Sequence, residues 1–176
     1  MSGYGVILAD CPWAYRNASS EGAAALQYQT MPVADLCALD VASLAAPDAV
    51  LLLWATWPLL TDAIAVMHAW GFAYKAGFPW IKVVDGPQQD LWGELRMRPH
   101  YGIGWWVRGC SEPLLIGVRG NAKPPGGGMV GLLSPNFQHS RKPDSIYEYA
   151  EQFPGPWLEL FARRPRPGWD SIGNWH

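Results

Sequence analysis

The sequence predicts an α/β fold with a mostly parallel sheet and helices on both of its faces. Short apolar runs alternate along the chain with segments of helical spacing, which is typical of parallel strands joined by crossover helices. Two runs, residues 4–9 and 49–54, are almost entirely apolar, as strands buried on both faces are. The chain has 176 residues, of which 49% are hydrophobic, so we expect residues 1–176 to form a single compact domain with a sizeable core.

The other elements are predicted from their spacing and their flanking residues. In chain order they are a helix over 32–45, a helix over 58–70, one strand or two within 72–83, a strand over 113–118, a helix over 144–153 and a last strand over 157–162. Pro32 suits a first helical turn and Gly71 suits a helix end, whereas Gly77 and Pro79 interrupt the apolar run around them. The Gly- and Pro-rich segments between these elements and the tail 163–176 are expected to be loops.

Charge is distributed unevenly between the two halves of the chain. The net charge is −2, but residues 1–95 carry three basic and nine acidic side chains, whereas residues 96–176 carry ten basic and six acidic ones. A phosphate backbone bound to the surface would therefore meet the second half, which includes Arg96 and Arg98. For any single arginine, an ordinary solvated surface position is the alternative interpretation.

Several classes of protein are disfavoured by what the sequence lacks. No apolar stretch approaches the roughly 18 residues of a membrane span, and no signal segment precedes the first strand, so no membrane partner is expected. Cys11, Cys37 and Cys110 are too few and too scattered for a disulfide framework, which indicates a reducing cytoplasm. Histidines and cysteines lack the spacing of metal ligands and no phosphate-binding glycine motif occurs, so we expect no metal.

The most informative motif is Asp10-Cys11-Pro12-Trp13, which directly follows the strand at residues 4–9. Because ligands bind at the carboxyl ends of parallel strands, this loop would present a carboxylate, peptide carbonyls and an aromatic ring to a ligand. The oxygens can accept the hydrogens of an amine, and the ring can stack on a flat heterocycle. This combination indicates methylation of the exocyclic amine of a base lifted out of its stack. Two alternatives stay open, namely Asp10 as a turn-forming residue and Cys11 as a nucleophile.

The same loop is similar to the Asp-Pro-Pro-Trp motif of the MT-A70 family of adenine N6-methyltransferases. Further similar blocks follow in the family's order across nearly the whole chain, and they are Tyr28–Met31, Leu53–Thr56, Trp80–Lys82, Gly117–Gly120, Ser140–Asp144, Glu159–Phe161 and Gly173–Asn174. The resemblance implies a Rossmann-like methyltransferase fold, S-adenosylmethionine as cofactor, and methyl transfer to adenine N6 in DNA or alternatively RNA. The compact chain resembles bacterial and phage members, so DNA is the expected substrate of a cytoplasmic protein from a bacterium or a phage.

The resemblance also implies roles for individual residues. Asp10 would accept one hydrogen of the amine, a carbonyl in the Cys11–Pro12 segment would accept the other, and Trp13 would stack on the adenine. The residues expected to bind the cofactor are Asp10, Lys142, Glu159, Leu160, Arg163 and Asn174. The residues expected to bind the substrate are Trp13, Tyr28, Thr56, Arg96 and Arg98. Two positions depart from the family pattern: Cys11 replaces the usual Pro, and Trp175 replaces a polar residue after Asn174.

Two further functions stay open on the sequence. One is a catalytically weak or inactive scaffold of the same fold that binds nucleic acid, and the other is methylation of a different amine, such as N4 of cytosine or a protein glutamine. Flipping a base out of a duplex costs a few kcal/mol, so a chain of this size is expected to use either a homodimer partner or a single-stranded substrate.

Overall fold

Seven strands form the central sheet of the structure. The structure is a computed structural model that describes residues 3–14, 30–84, 86, 88–89, 95–102, 106–126, 131–135 and 141–173. The described strands are β1 (Tyr4–Ala9), β2 (Ala45–Trp54), β3 (Ala73–Val83), β4 (Gln88–Gln89), β5 (Leu95–Arg96), β6 (Ser111–Arg119), β7 (Leu132–Pro135), β8 (Trp157–Leu160) and β9 (Trp169–Ile172). The described helices are α1 (Val33–Ala38), α2 (Leu60–Ala69), which a 3₁₀ turn at Trp57–Leu59 precedes, and α3 (Ser145–Ala150). β4 and β5 pair separately, outside the central sheet.

The strand order in the central sheet is β7-β3-β6-β2-β1-β8-β9. β1 is parallel to β2 and β8, β8 is parallel to β9, and β3 is parallel to β7. β6 runs antiparallel to both of its neighbours, β2 and β3. The amino end of β6 therefore lies at the same edge as the carboxyl ends of the other six strands. We call this edge of the sheet the carboxyl edge.

Alternating side chains of β1 enter two separate cores. Ile7 and Ala9 belong to the core that α1 and α2 cover, whereas Val6 and Leu8 belong to the core that α3 covers. All four side chains are buried, which explains why the run in the sequence is continuously apolar rather than alternating. Helices thus cover both faces of the sheet, and the prediction of an α/β fold is confirmed.

Trp70 fixes α2 against α1. The side chain is fully buried directly after α2, and its indole N–H donates to the carbonyl oxygen of Leu36 in α1 at 2.8 Å. An indole buries roughly 150–250 Å² of surface, and its N–H must find an acceptor once it leaves water. The bond to Leu36 supplies that acceptor, so the large apolar burial is not offset by an unpaired donor.

Some element boundaries differ from the prediction. The helix expected over 32–45 ends at Ala38, because Asp40 Oδ1 accepts the N–H of Ser43 in a turn that leads into β2. The expectation of loops was wrong for β7 and β9, which have four residues each and form the two edges of the sheet. An edge strand pairs on one side only, so it needs little apolar sequence. Most of the loop expected over 14–30 lies outside the described residues.

Candidate active site

A cleft of about 250 Å³ opens at the carboxyl edge beside the ends of β1 and β8. Its polar lining residues are Asp10, Arg141, Lys142, Tyr147, Glu159, Arg163 and Arg164. Its apolar lining residues are Leu8, Trp54, Ile146 and Phe161. Acidic and basic side chains thus face one cavity, which can bind a small molecule that carries both positive and negative groups.

Asp10 follows β1 directly, and its carboxylate faces this cleft. Its two oxygens lie 2.9 and 3.0 Å from Nζ of Lys142, and Nη2 of Arg163 lies 3.9 Å from its Oδ2. The Asp10 side chain stays 21% exposed, so the two cations hold it without closing it off from the cavity. A carboxylate fixed in this way can accept a strong hydrogen bond from a ligand in the cleft.

Glu112 is a second carboxylate at the carboxyl edge, and it lies there because β6 runs against the other strands. Its Oε2 lies 3.3 Å from Nζ of Lys142, and its Oε1 accepts a hydrogen bond from Lys82. Lys142 therefore sits between Asp10 and Glu112, with its side chain only 14% exposed. Burial alone would raise the pKa of Glu112 and lower that of Lys142. The opposite charges outweigh burial, so the pKa of Glu112 is lowered and the pKa of Lys142 is raised.

Glu112 is a residue that sequence reasoning missed. It is the only acidic residue between positions 96 and 143, and it stands directly before an apolar strand. That isolation is the signal that could have identified it. Its place beside Lys142 depends on the reversed direction of β6, which the apolar pattern of a strand does not encode.

The folding stability of the wild type should fall as the pH is lowered, and we expect this fall to be smaller in the Glu112→Gln variant. The pKa of Glu112 is lower in the folded chain than its unfolded value of about 4.3, so the carboxylate stabilises the folded state above that pH. This contribution is lost as the pH falls through the folded pKa. In urea unfolding between about pH 3 and 7, the stability difference between wild type and variant should be largest near neutral pH. Glu148→Gln, at an exposed position of α3, is the control, and a pH-independent difference for Glu112→Gln would contradict the expectation.

β8 contributes Glu159 and the turn that follows it. Both carboxylate oxygens of Glu159 lie 3.0 Å from the hydroxyl of Tyr147, and burial is the main reason that the pKa of each group is raised. Leu160 is buried in the core, so its backbone rather than its side chain is available to a ligand. Phe161 has a φ of 62°, a left-handed conformation that is rare for a bulky residue. This turn leads to Arg163, and backbone strain of this kind is concentrated at functional sites.

Among the described residues, the carbonyls of Cys11 and Pro12 each accept one backbone hydrogen bond. The N–H of Trp13 donates to Cys11 at 2.9 Å, and the N–H of Met31 donates to Pro12 at 2.7 Å. A carbonyl oxygen has two lone pairs, so either can accept a second hydrogen. The Cys11 thiol is buried, which raises its pKa well above the ordinary value, and the charge of Asp10 raises it further. A thiol that stays protonated is a poor nucleophile, which disfavours that alternative role for Cys11.

Trp13 belongs largely to the core. It is 7% exposed, it packs in the core that α1 and α2 cover, and its indole N–H donates to the carbonyl of Trp54 at 3.2 Å. This bond connects the loop after β1 to the end of β2. Stacking of Trp13 on a base stays a prediction, and the structure adds a packing role for the same ring.

The structure describes three of the other predicted substrate residues, namely Thr56, Arg96 and Arg98. Thr56 follows β2, and its hydroxyl oxygen is buried without a hydrogen-bond partner in the described part of the chain. Arg96 and Arg98 are exposed in the segment between β3 and β6, and they do not line the cleft. The carbonyl of Arg98 accepts the N–H of Val84, which places this segment beside the carboxyl end of β3. Two predicted residues, Tyr28 and Asn174, lie outside the described residues.

Among the described residues, no three His, Cys, Asp or Glu side chains are grouped as metal ligands would be. No helix within the described ranges is long and apolar enough to span a membrane. Cys11, Cys37 and Cys110 are all free thiols.

Known proteins resemble the chain over almost its whole length. It is 30% identical over 194 residues to the Type II methyltransferase M.MunI of Mycoplasma sp., and the similar region covers 97% of this chain and 76% of that protein. Residues 4–175 match the MT-A70 family. The family match includes β1, the Asp10 loop and the ends of β2 and β8.

The α/β sheet, the charged cleft at its carboxyl edge and the similarity to M.MunI define the class, and the chain is a methyltransferase. More particularly, it belongs to the MT-A70 family, whose match begins at the first residue of β1 and ends at residue 175. The resemblance stated from the Asp10–Trp13 loop and the blocks that follow it is therefore confirmed.

Proposed function

We propose that this methyltransferase transfers the methyl group of S-adenosylmethionine to the N6 amine of adenine in DNA, on a Rossmann-like fold. The observation that carries the proposal is the position of Asp10. Its carboxylate follows β1, faces the cleft at the carboxyl edge and is held by Lys142 at 2.9 Å. In α/β sheets, this edge is where ligands bind. The carbonyls of Cys11 and Pro12 come next in the chain, so two kinds of acceptor lie within one short loop.

The polar groups of the cleft fit S-adenosylmethionine. That cofactor has a carboxylate, an ammonium group, a sulfonium and ribose hydroxyls, and when bound it supplies the activated methyl group. Lys142 and Arg163 suit the carboxylate, whereas Asp10 and Glu159 suit the positive groups and the hydroxyls. The cavity of about 250 Å³ is close to the lower end of the range for ligand sites, about 300–1,000 Å³. Two further proposed contacts are the backbone of Leu160 and the side chain of Asn174.

Asp10 and the neighbouring carbonyls would prepare the amine for attack. The lone pair of an aromatic amine is delocalised into the ring, so the amine is a weak nucleophile. Hydrogen bonds to Asp10 and to the carbonyl of Cys11 or Pro12 would hold both amine hydrogens and orient the lone pair. Lys142 would hold the Asp10 carboxylate in place. After transfer, the proton of the methylated amine would leave through Asp10 to solvent.

DNA is proposed as the substrate because the basic residues are concentrated in one half of the chain and because the compact chain resembles bacterial and phage members of the family. Ten of the 13 basic residues lie in residues 96–176, and Arg96 and Arg98 are proposed to contact phosphates. Trp13, Tyr28 and Thr56 are proposed to contact the base. A buried hydroxyl without a partner, such as that of Thr56, is unfavourable unless a ligand supplies one.

Incubation with S-adenosylmethionine labelled in its methyl group tests the proposal. With an adenine-containing DNA strand, we expect the label in N6-methyladenine after digestion to nucleosides. A strand in which hypoxanthine replaces adenine lacks the amine and should take up no label. Label in methylcytosine or in protein would contradict adenine as the acceptor. Cofactor binding without transfer to DNA or RNA would support the inactive scaffold instead.

A further inference from the structure

We infer that the enzyme binds its nucleic acid as an unpaired strand, on an aromatic surface formed by Trp57, Tyr101, Trp106 and Arg108. The inference rests on the proposed function and concerns the strand state of its substrate. It is based on the hydrogen bond that anchors Trp57, on the exposed rings of Tyr101 and Trp106, on the backbone contacts of their segment, and on the charges in that segment.

Trp57 lies at the carboxyl edge, three residues after Trp54 of the cleft wall. Its side chain is 51% exposed, and its indole N–H donates to Oγ of Ser111 at 3.0 Å. Ser111 is the first residue of β6 and precedes Glu112, the carboxylate that contacts Lys142. One edge of the ring is thus fixed to the sheet while much of its surface faces solvent. A ring held in this way can stack on a base with little loss of conformational entropy.

The chain before β6 exposes two more rings. Tyr101 is 53% exposed and Trp106 is 99% exposed. The guanidinium of Arg108 lies 5.5 Å from the centroid of the Tyr101 ring, so it can neutralise a phosphate beside that ring. Isolated exposed aromatics are common, but a group of them next to a substrate cleft marks a binding surface.

Backbone contacts connect this segment to the anchor of Trp57. The N–H of Gly102 donates to the carbonyl of Gly109 at 2.7 Å, which places Tyr101 beside the start of β6. Gly109 is two residues before Ser111, so their Cα atoms are at most about 7.6 Å apart. Trp57 and Tyr101 are thus both connected to the start of β6 at the carboxyl edge, and Trp106 is three residues before Gly109 in the same segment.

The charges that flank Tyr101 and Trp106 in the sequence favour nucleic acid over protein as the partner. Residues 95–110 contain three arginines and one histidine and no acidic residue. Protein interfaces are depleted of charged residues at their centre, whereas surfaces for single strands combine cations for phosphates with rings for bases. A duplex hides the faces of its bases, so it would leave these rings without stacking partners. An unpaired strand matches both the cations and the rings.

Binding of two adenine-free probes tests the inference independently of methyl transfer. The probes are a short fluorescent oligothymidylate and a G·C hairpin duplex, and anisotropy measures their affinities. We expect the single strand to bind at least about tenfold more tightly than the duplex. Trp57→Leu and Trp106→Leu should each weaken single-strand binding about 5- to 100-fold, because stacking on one base is lost. Trp57→Phe should retain most of the affinity.

Two control variants separate stacking from charge and from general surface effects. Arg98→Gln should reduce the slope of log affinity against log salt, by about 0.7 for a single strand, whereas Trp57→Leu should leave that slope unchanged. Tyr74 is an exposed ring at the amino end of β3, at the opposite edge of the sheet, so Tyr74→Leu should not change the affinity. The substituted side chains are exposed, and an unchanged thermal midpoint would verify that each variant is folded.

The outcomes distinguish this inference from the proposed function. Tighter binding of the duplex, or equal losses for both probes in the tryptophan variants, would overturn the unpaired-strand inference. Methyl transfer to adenine, measured in the labelling experiment, would then still stand. Absence of binding to either probe, together with absence of label in nucleic acid, would overturn both.

Discussion

Asp10→Ala is expected to lower the rate of methyl transfer by about 10²–10³-fold, which is the usual cost of removing one preorganised polar group from a catalytic site. The substitution removes the proposed acceptor of one amine hydrogen. It leaves the buried ammonium group of Lys142 in contact with Glu112. Single-turnover rates at saturating cofactor measure the effect, and equilibrium binding of S-adenosylmethionine shows whether the cofactor is still bound.

Two further variants make the Asp10 result specific. Asp10→Asn retains one acceptor oxygen but lacks the charge, so its rate should lie between those of the wild type and the alanine variant. Asp35→Asn changes an exposed aspartate on the first turn of α1 and should leave the rate unchanged. An Asp10→Ala variant with more than about a tenth of the wild-type rate would show that residue 10 does not bind the amine in the transition state.

Lys142→Met is expected to have the largest effect on stability. The ammonium group lies between Asp10 and Glu112 at 2.9 and 3.3 Å, and its removal leaves Asp10 without its closest cation. Breaking a buried ion pair by removing one partner costs about 3–5 kcal/mol. We expect the unfolding free energy at neutral pH to fall by about 3 kcal/mol, the lower end of that range, because Lys82 still contacts Glu112. Urea unfolding of both proteins measures the difference, and methyl transfer should be lost as well.

The origin of the Lys142 effect can be separated from lost packing. If unpaired carboxylates cause the instability, it should decrease at acid pH, where they are protonated. Adding Glu112→Gln to Lys142→Met should then recover part of the lost stability, since one of the two carboxylates is removed. Lys123→Met, at an exposed lysine, is the matched control. A loss that is the same at acid and neutral pH would indicate packing rather than charge.

The parts of the site that could be predicted are those marked by a short, continuous stretch of the sequence. The apolar run at residues 4–9 coincides with β1, and the Asp10–Trp13 loop follows it at the carboxyl edge. A continuous apolar run identifies a strand buried on both faces, and parallel pairing with β2 and β8 then fixes the edge at which its loop lies. Lys142 lines the same cleft and lies 2.9 Å from Asp10, and its role toward a cofactor stays a prediction.

The rest of the site depends on strand order and direction, which have no local signal. Glu112 reaches the site only because β6 is reversed, and a reversed strand has the same apolar pattern as a parallel one. The burial of Trp13 could not be predicted from the sequence either, because a tryptophan beside a proline in a loop can be exposed as readily as it can be packed. β9 was missed because its exposed residues carry little apolar signal.

The burial of Cys11, in the loop that follows β1, has a practical consequence. Alkylating reagents and oxidants react with accessible thiolates, and this thiol is both enclosed and protonated. Cys37 and Cys110 are partly exposed and would be modified first. The Cys11 thiol should therefore stay unmodified under conditions that oxidise Cys37 and Cys110.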